Sequence, residues 1–132
     1  MASEIHTASP KWVVWGGRLF SALPVLLLLF SGTMKVLRPE SIVDAFVKEF
    51  GYPQSAILGI GIAELVSVAL YAIPQTAVLG AILLTGFLGG AAATHVRVGQ
   101  PFFAPVIVGV FVWSGLFLRD ERLRALLPWR KI

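Results

Sequence analysis

Residues 55–73 read Ser-Ala-Ile-Leu-Gly-Ile-Gly-Ile-Ala-Glu-Leu-Val-Ser-Val-Ala-Leu-Tyr-Ala-Ile, an apolar run broken by a single charge, Glu64, at its midpoint. At ~1.5 Å per helical residue the run approaches the ~30 Å hydrocarbon thickness of a bilayer, so it predicts a membrane-crossing helix. Glu64 then lies ~14 Å from either end of its span. Working outward, three further runs have the same character. Trp12 to Met34 carries one charge, Arg18, and one helix-bending residue, Pro24, while Thr76 to Thr94 and Phe102 to Leu118 carry no charge. The expected fold class is all-α: a four-transmembrane-helix bundle over 12–34, 55–73, 76–94 and 102–118. A polar N-terminal tail (1–11), a single membrane domain (12–128) and a basic C-terminal tail (129–132) complete the chain.

Composition supports the same class. Of 132 residues 57% are hydrophobic and 14% charged, against about 25% charged in an ordinary soluble domain. Mean hydropathy is +0.83. An ordinary soluble domain is therefore excluded. Absence of cysteine removes disulfide frameworks, thiolate metal sites and thiol nucleophiles, each of which needs sulfur. The pI near 10.0 does not point to nucleic acid, because the basic residues flank apolar runs, where they orient a membrane protein.

Four crossings put both termini and the Pro74–Gln75 turn on one side. That side collects Lys11, Arg18, Arg119, Arg122, Arg124, Arg130 and Lys131, whereas Lys35, Arg38, Lys48 and Arg97 fall on the other. The basic excess predicts cytoplasmic termini in the cell membrane. No small-residue cleavage site follows Phe30, so the first span is read as retained. The loop Arg38 to Gln54 predicts a short amphipathic helix lying on the outer face: Pro39, Glu40 and Asp44 suit its start, Ile42, Val43, Phe46 and Phe50 repeat at helical spacing, and Gly51 and Pro53 end it. Small residues at four-residue spacing, Ala81, Thr85, Gly89 and Ala93 beside Gly86, Gly90 and Thr94, predict close packing of span three on Gly59, Ala63 and Ser67 of span two.

Charges at membrane depth cost ~3 kcal/mol or more unless paired or hydrated, so they are the informative positions. Depth counting puts Arg18 ~9 Å inside the first span and Lys35 at the outer boundary, ~14 Å from Glu64. Arg18 is therefore the expected partner of Glu64. Two readings of Glu64 stand: half of a salt bridge that sets how spans one and two face each other, or a ligand anchor and proton-transfer group with Ser67 and Tyr71 on the same helical face. The candidate catalytic residues are Glu64 and His95; the candidate ligand-binding residues are Arg18, Lys35, Glu64, Ser67, Tyr71, Thr85, Thr94 and His95. No metal site is expected, since the second histidine, His6, belongs to the tail on the opposite side.

An arginine early in span one with Ser31-Gly32-Thr33-Met34-Lys35 at its end, Gly61-Ile62-Ala63-Glu64-Leu65, the Pro74 to Gly80 entry to span three, and Leu84 to Arg97 together resemble the DoxX-like family, from about Arg18 to Pro128. The resemblance implies a small four-helix membrane protein. Some members are named for a thiosulfate:quinone oxidoreductase subunit, which implies a quinone or redox connection. Arg18, Lys35, Glu64 and His95 match the family's intramembrane polar pattern by position. The expected function is binding of an apolar small molecule, a quinone among the candidates, in the helical bundle. The alternatives are a non-catalytic scaffold subunit of a membrane redox complex and a small membrane-embedded isomerase or hydrolase using Glu64 as acid/base. The cofactor is unassigned, and the expected partners are the lipid bilayer, that small molecule, and a second copy or a redox subunit.

Overall fold

The computed structural model describes residues 10–130, so His6, Lys131 and most of the two expected tails lie outside the described residues. Among the described residues the chain is helical, without strands: α1 Lys11–Leu37, α2 Glu40–Asp44, α3 Ala56–Ala72, α4 Ala77–Arg97, α5 Phe103–Arg119 and α6 Glu121–Leu126. α2 runs on into a π-helical turn, Ala45–Glu49, and a 3-10 turn, Pro74–Thr76, leads into α4. Proline and glycine set these boundaries. Pro39 precedes α2, Gly51 follows the π turn with φ +75°, and Pro74 breaks the apolar run between α3 and α4.

The segments Lys11–Leu37 and Pro74–Arg97 are long and apolar enough to cross a membrane, whereas α3 and α5 are apolar but 17 residues each. α1 packs on α3 and α5, and α4 packs on the same two helices, so the four close a ring of neighbours. Inside it lies a narrow core of fully buried Val68, Tyr71, Ala81, Leu84, Val112 and Leu116. Outside it, Leu19, Leu23, Leu26 and Phe30 of α1, Ile82 of α4 and Ile107 and Val110 of α5 are exposed. These exposed apolar side chains leave little polar surface along α1, α4 and α5, an arrangement compatible with lipid.

Backbone contact decides where these helices meet. α1 and α5 cross at Gly17 and Gly115: a Cβ on Gly17 would lie 2.9 Å from the Gly115 carbonyl and 2.8 Å from the Arg119 nitrogen. α1 and α3 cross at Gly32 and Gly61, where a Cβ on Gly61 would sit 2.7 Å from Cβ of Lys35. Spans two and three do pack, with Gly80 against the backbone of Tyr71, but the small-residue seam expected between them is corrected. Ala81 and Ser67 are buried, yet Gly59, Gly86, Gly89 and Gly90 have open space where a Cβ would stand. Four-residue spacing fixes which residues share a face; it does not say which face meets a neighbour.

Gly61→Ala is expected to push α1 from α3 and lower stability by ~1–3 kcal/mol. Gly59→Ala, on the open side of the same helix, should be neutral or slightly stabilising. Thermal melts followed by circular dichroism in detergent check both; equal melting temperatures for the two variants would remove the Gly61 contact as a packing determinant.

Candidate functional site

Close approach at Gly61 brings the stem of Lys35 onto α3 one turn before Glu64. Lys35 Nζ donates to Glu64 Oε2 at 2.7 Å and to Ser31 Oγ at 2.6 Å, and the pair is buried, with 12% of the lysine side chain and none of the glutamate exposed. The rings of Phe46 and Phe87 flank the ammonium, each with its centroid 5.7 Å away, an arrangement that favours a partly desolvated cation. The remaining carboxylate oxygen, Oε1, is buried and has no hydrogen-bond partner among the described residues.

The expected pairing of Glu64 with Arg18 is overturned by this geometry. Arg18 is exposed, stacks over Trp15 at 5.0 Å, and lines a cleft with Pro74, Gln75 and Arg119 at the far end of α3. Counting residues from the span boundary missed two things. α1 runs on to Leu37, and helical side chains lean toward the N-terminus, so the long Lys35 stem reaches back a turn to Ser31 and across to Glu64.

A cavity of about 490 Å³ adjoins the pair, lined by Lys35, Glu64, Thr94 and His95 among largely apolar neighbours such as Leu28, Ile60, Leu88 and Val108. Of the sequence candidates the structure brings these four together. Thr94 donates to the Gly90 carbonyl at 2.9 Å and shares a 2.7 Å hydrogen bond with the Tyr52 hydroxyl. His95 Nδ1 lies 2.7 Å from the Ala91 carbonyl; a carbonyl only accepts, so Nδ1 carries the proton and a neutral ring would keep Nε2 as an acceptor. Among the described residues no three His, Cys, Asp or Glu side chains gather into a metal-ligand set.

The other candidates stand elsewhere. Tyr71 is fully buried a helical stretch away, its hydroxyl 2.6 Å from the Val112 carbonyl and 3.1 Å from Ser21 Oγ, tying α3 to α5 and α1. Ser67 donates to its own helix at Ala63. Thr85 accepts from Trp113 Nε1 at 2.7 Å in a separate groove between α4 and α5. All three serve packing between or within helices. Residues that were not singled out, Phe46, Phe50, Tyr52 and Phe87, line the cavity instead. The first two were legible as one face of the outer-loop helix; Tyr52 carried no signal of its own. Arg97 holds this segment, donating to the Phe50 carbonyl and lying 5.6 Å over the Tyr52 ring.

A small helical protein with apolar outer faces, and a buried ion pair beside a largely apolar cavity, has the makings of a membrane protein. The chain belongs to the DoxX-like family, whose match covers residues 19–115. The match takes in Lys35, Glu64, Thr94 and His95 but begins just after Arg18 and stops short of Pro128, so it is narrower than the resemblance read from the sequence. No curated protein and no solved structure matches the chain.

Removing either partner of a buried pair strands the other charge, at ~3–5 kcal/mol. Lys35→Met and Glu64→Met should each destabilise by about that amount, and the double variant by clearly less than the sum. Arg18→Met combined with Glu64→Met should instead be additive within ~0.5 kcal/mol. Denaturation midpoints of the set decide: coupling of Glu64 to Arg18 and not to Lys35 would reverse the assignment.

Proposed function

We propose that α1, α3, α4 and α5 cross the bilayer as a four-span bundle with both termini in the cytoplasm. Within it, the cavity beside Glu64 holds an apolar small molecule with a polar head. At ~26 Å, α3 and α5 are slightly short for a ~30 Å core, a mismatch that local thinning or snorkelling of flanking side chains accommodates. The basic excess at the end carrying Arg18, Arg119 and Arg122 supports the orientation.

The observation that carries the ligand reading is Glu64 Oε1: a fully buried oxygen with no partner among the described residues, on a residue that lines a cavity of about 490 Å³. An unmet buried acceptor costs ~1–3 kcal/mol, more when charged, and a hydroxyl or amine on a bound molecule would satisfy it. Lys35 uses two of its three ammonium hydrogens on Ser31 and Glu64, leaving one to donate. A head that can give a proton at one oxygen and accept one at another meets both groups. The hydroxyls of a quinol, the reduced form of a quinone, have that chemistry, whereas the quinone itself only accepts. In this reading Glu64 Oε1 accepts a hydrogen bond from a hydroxyl of the head, Lys35 donates to an oxygen of the head, Thr94 and His95 line the mouth, and the apolar walls exclude water. The volume lies within the range of sites for small molecules.

Since the chain has no cysteine, single introduced thiols report topology cleanly. Gln75→Cys should react with impermeant maleimide only from the cytoplasmic side, and Gln54→Cys only from outside; labelling of both from one side would contradict four crossings.

The ligand reading is tested by extracting the protein in polymer-bounded patches of native membrane and identifying co-purified small molecules by mass spectrometry. The wild type should carry an enriched apolar compound, reduced at least about tenfold in Glu64→Gln and in Ala91→Phe, which narrows the cavity while sparing the ion pair. Retention of the compound in folded Ala91→Phe, or no enrichment in the wild type, would rule out this cavity as its site.

A further inference from the structure

At the opposite end of the helices from Glu64, a second cleft of about 530 Å³ is lined by Arg18 of α1, the Pro74–Gln75 turn, Arg119 of α5 and Arg122 of α6. Asp120 and Glu121 also line it, but both are engaged: Asp120 Oδ1 accepts from the Arg122 backbone nitrogen at 3.0 Å and Glu121 faces Arg124 at 4.0 Å. Arg119 is the fixed member of the set. Its Nη2 donates to the Tyr71 carbonyl at 2.9 Å, its guanidinium lies 4.7 Å over the Tyr71 ring, and its Nε is buried with no partner. Among the described residues none of Arg18, Arg119 and Arg122 pairs with a carboxylate side chain. Three arginines thus line one cleft, one of them already held in place by the Tyr71 carbonyl.

Arginine forks match tetrahedral oxyanions, which accept several short charge-assisted bonds at once. Just outside the cleft, α1 presents exposed Trp12 and Trp15, then exposed Leu19 and Leu23. Indoles suit the headgroup level and the leucines suit acyl chains. We propose that Arg18, Arg119 and Arg122 form a phosphate-binding cleft that seats the headgroup of an anionic membrane lipid, with its chains lying along α1. The assignment rests on the four-span reading only for its depth in the bilayer. It is independent of the Glu64 cavity, which lies beyond the buried core of Val68, Tyr71 and Leu116.

The full chain is reconstituted into nanodiscs of mixed phosphatidylglycerol and phosphatidylcholine, then released into detergent, and retained lipid is counted by native mass spectrometry. Wild type should retain phosphatidylglycerol selectively, and Arg18→Gln and Arg122→Gln should each reduce that selectivity about fivefold, the effect of removing one interfacial cation. Arg119 is left intact because it also holds the Tyr71 carbonyl. A parallel titration uses inorganic phosphate in discs of phosphatidylcholine alone. Phosphate binding that depends on the same arginines, with no lipid selectivity, would keep the oxyanion site and overturn the lipid as its occupant. Equal retention of the two lipids without phosphate binding, or selectivity unchanged in both variants, would overturn the cleft itself. In either case the topology labelling stands apart.

Discussion

A carboxylate with no exposed surface in the middle of an apolar helix is stable only if another helix delivers a counter-charge to it, and Lys35 does so across the α1–α3 crossing. The requirement propagates. Lys35 can reach because Gly61 lets its stem lie against α3; the ammonium stays ordered because Ser31 and two aromatic rings surround it; and the aromatic ring from the segment between α1 and α3, Phe46, is held there by contacts of that segment with α4. One ion pair therefore fixes a helix register, the placement of the π-helical turn and the polar corner of a cavity. Since lipid gives no hydrophobic reward for helix association, such directional contacts carry weight here that buried apolar area carries in a soluble protein.

Tyr71 plays the complementary part. Its phenol bridges three helices and its carbonyl is capped by Arg119, so the half of the protein near the termini is held by a polar node inside a dry core. The half around Glu64 contains the cavity. The two polar nodes, Tyr71 and the Lys35–Glu64 pair, thus sit at different levels along the helices.

The helices were legible because their signals are local: long apolar runs, the charge-free third and fourth runs, and breaks at Pro39, Gly51, Pro53 and Pro74. The presence of Glu64 as the informative residue was legible for the same reason. Its partner was not. Depth counted along one helix cannot say which neighbour lies across from it, and it ignores the several ångströms by which a lysine stem departs from its own Cα. Tyr71 and Ser67 fell on the same helical face as Glu64 and so looked like site residues, but a face two turns long meets different neighbours at its two ends. The small-residue seam failed similarly: glycines that touch a neighbour, such as Gly61 and Gly115, are indistinguishable in sequence from Gly59 and Gly89, which touch none. Tyr52, in a turn without periodicity, became visible only from the contact of the α1–α3 connection with Thr94.

The buried core between Val68 and Leu116 has a further consequence. It closes the cavity on the side of Arg119, while exposed Gly86, Gly90 and Ala104 belong to the cavity's rim. Under the proposed four-span topology any occupant faces a blind alley in one direction and acyl chains in the other. Under the proposed topology exchange is one-sided, drawing on the outer leaflet and not on the inner one, so a chain of this small size already imposes a polarity on whatever traffic it supports.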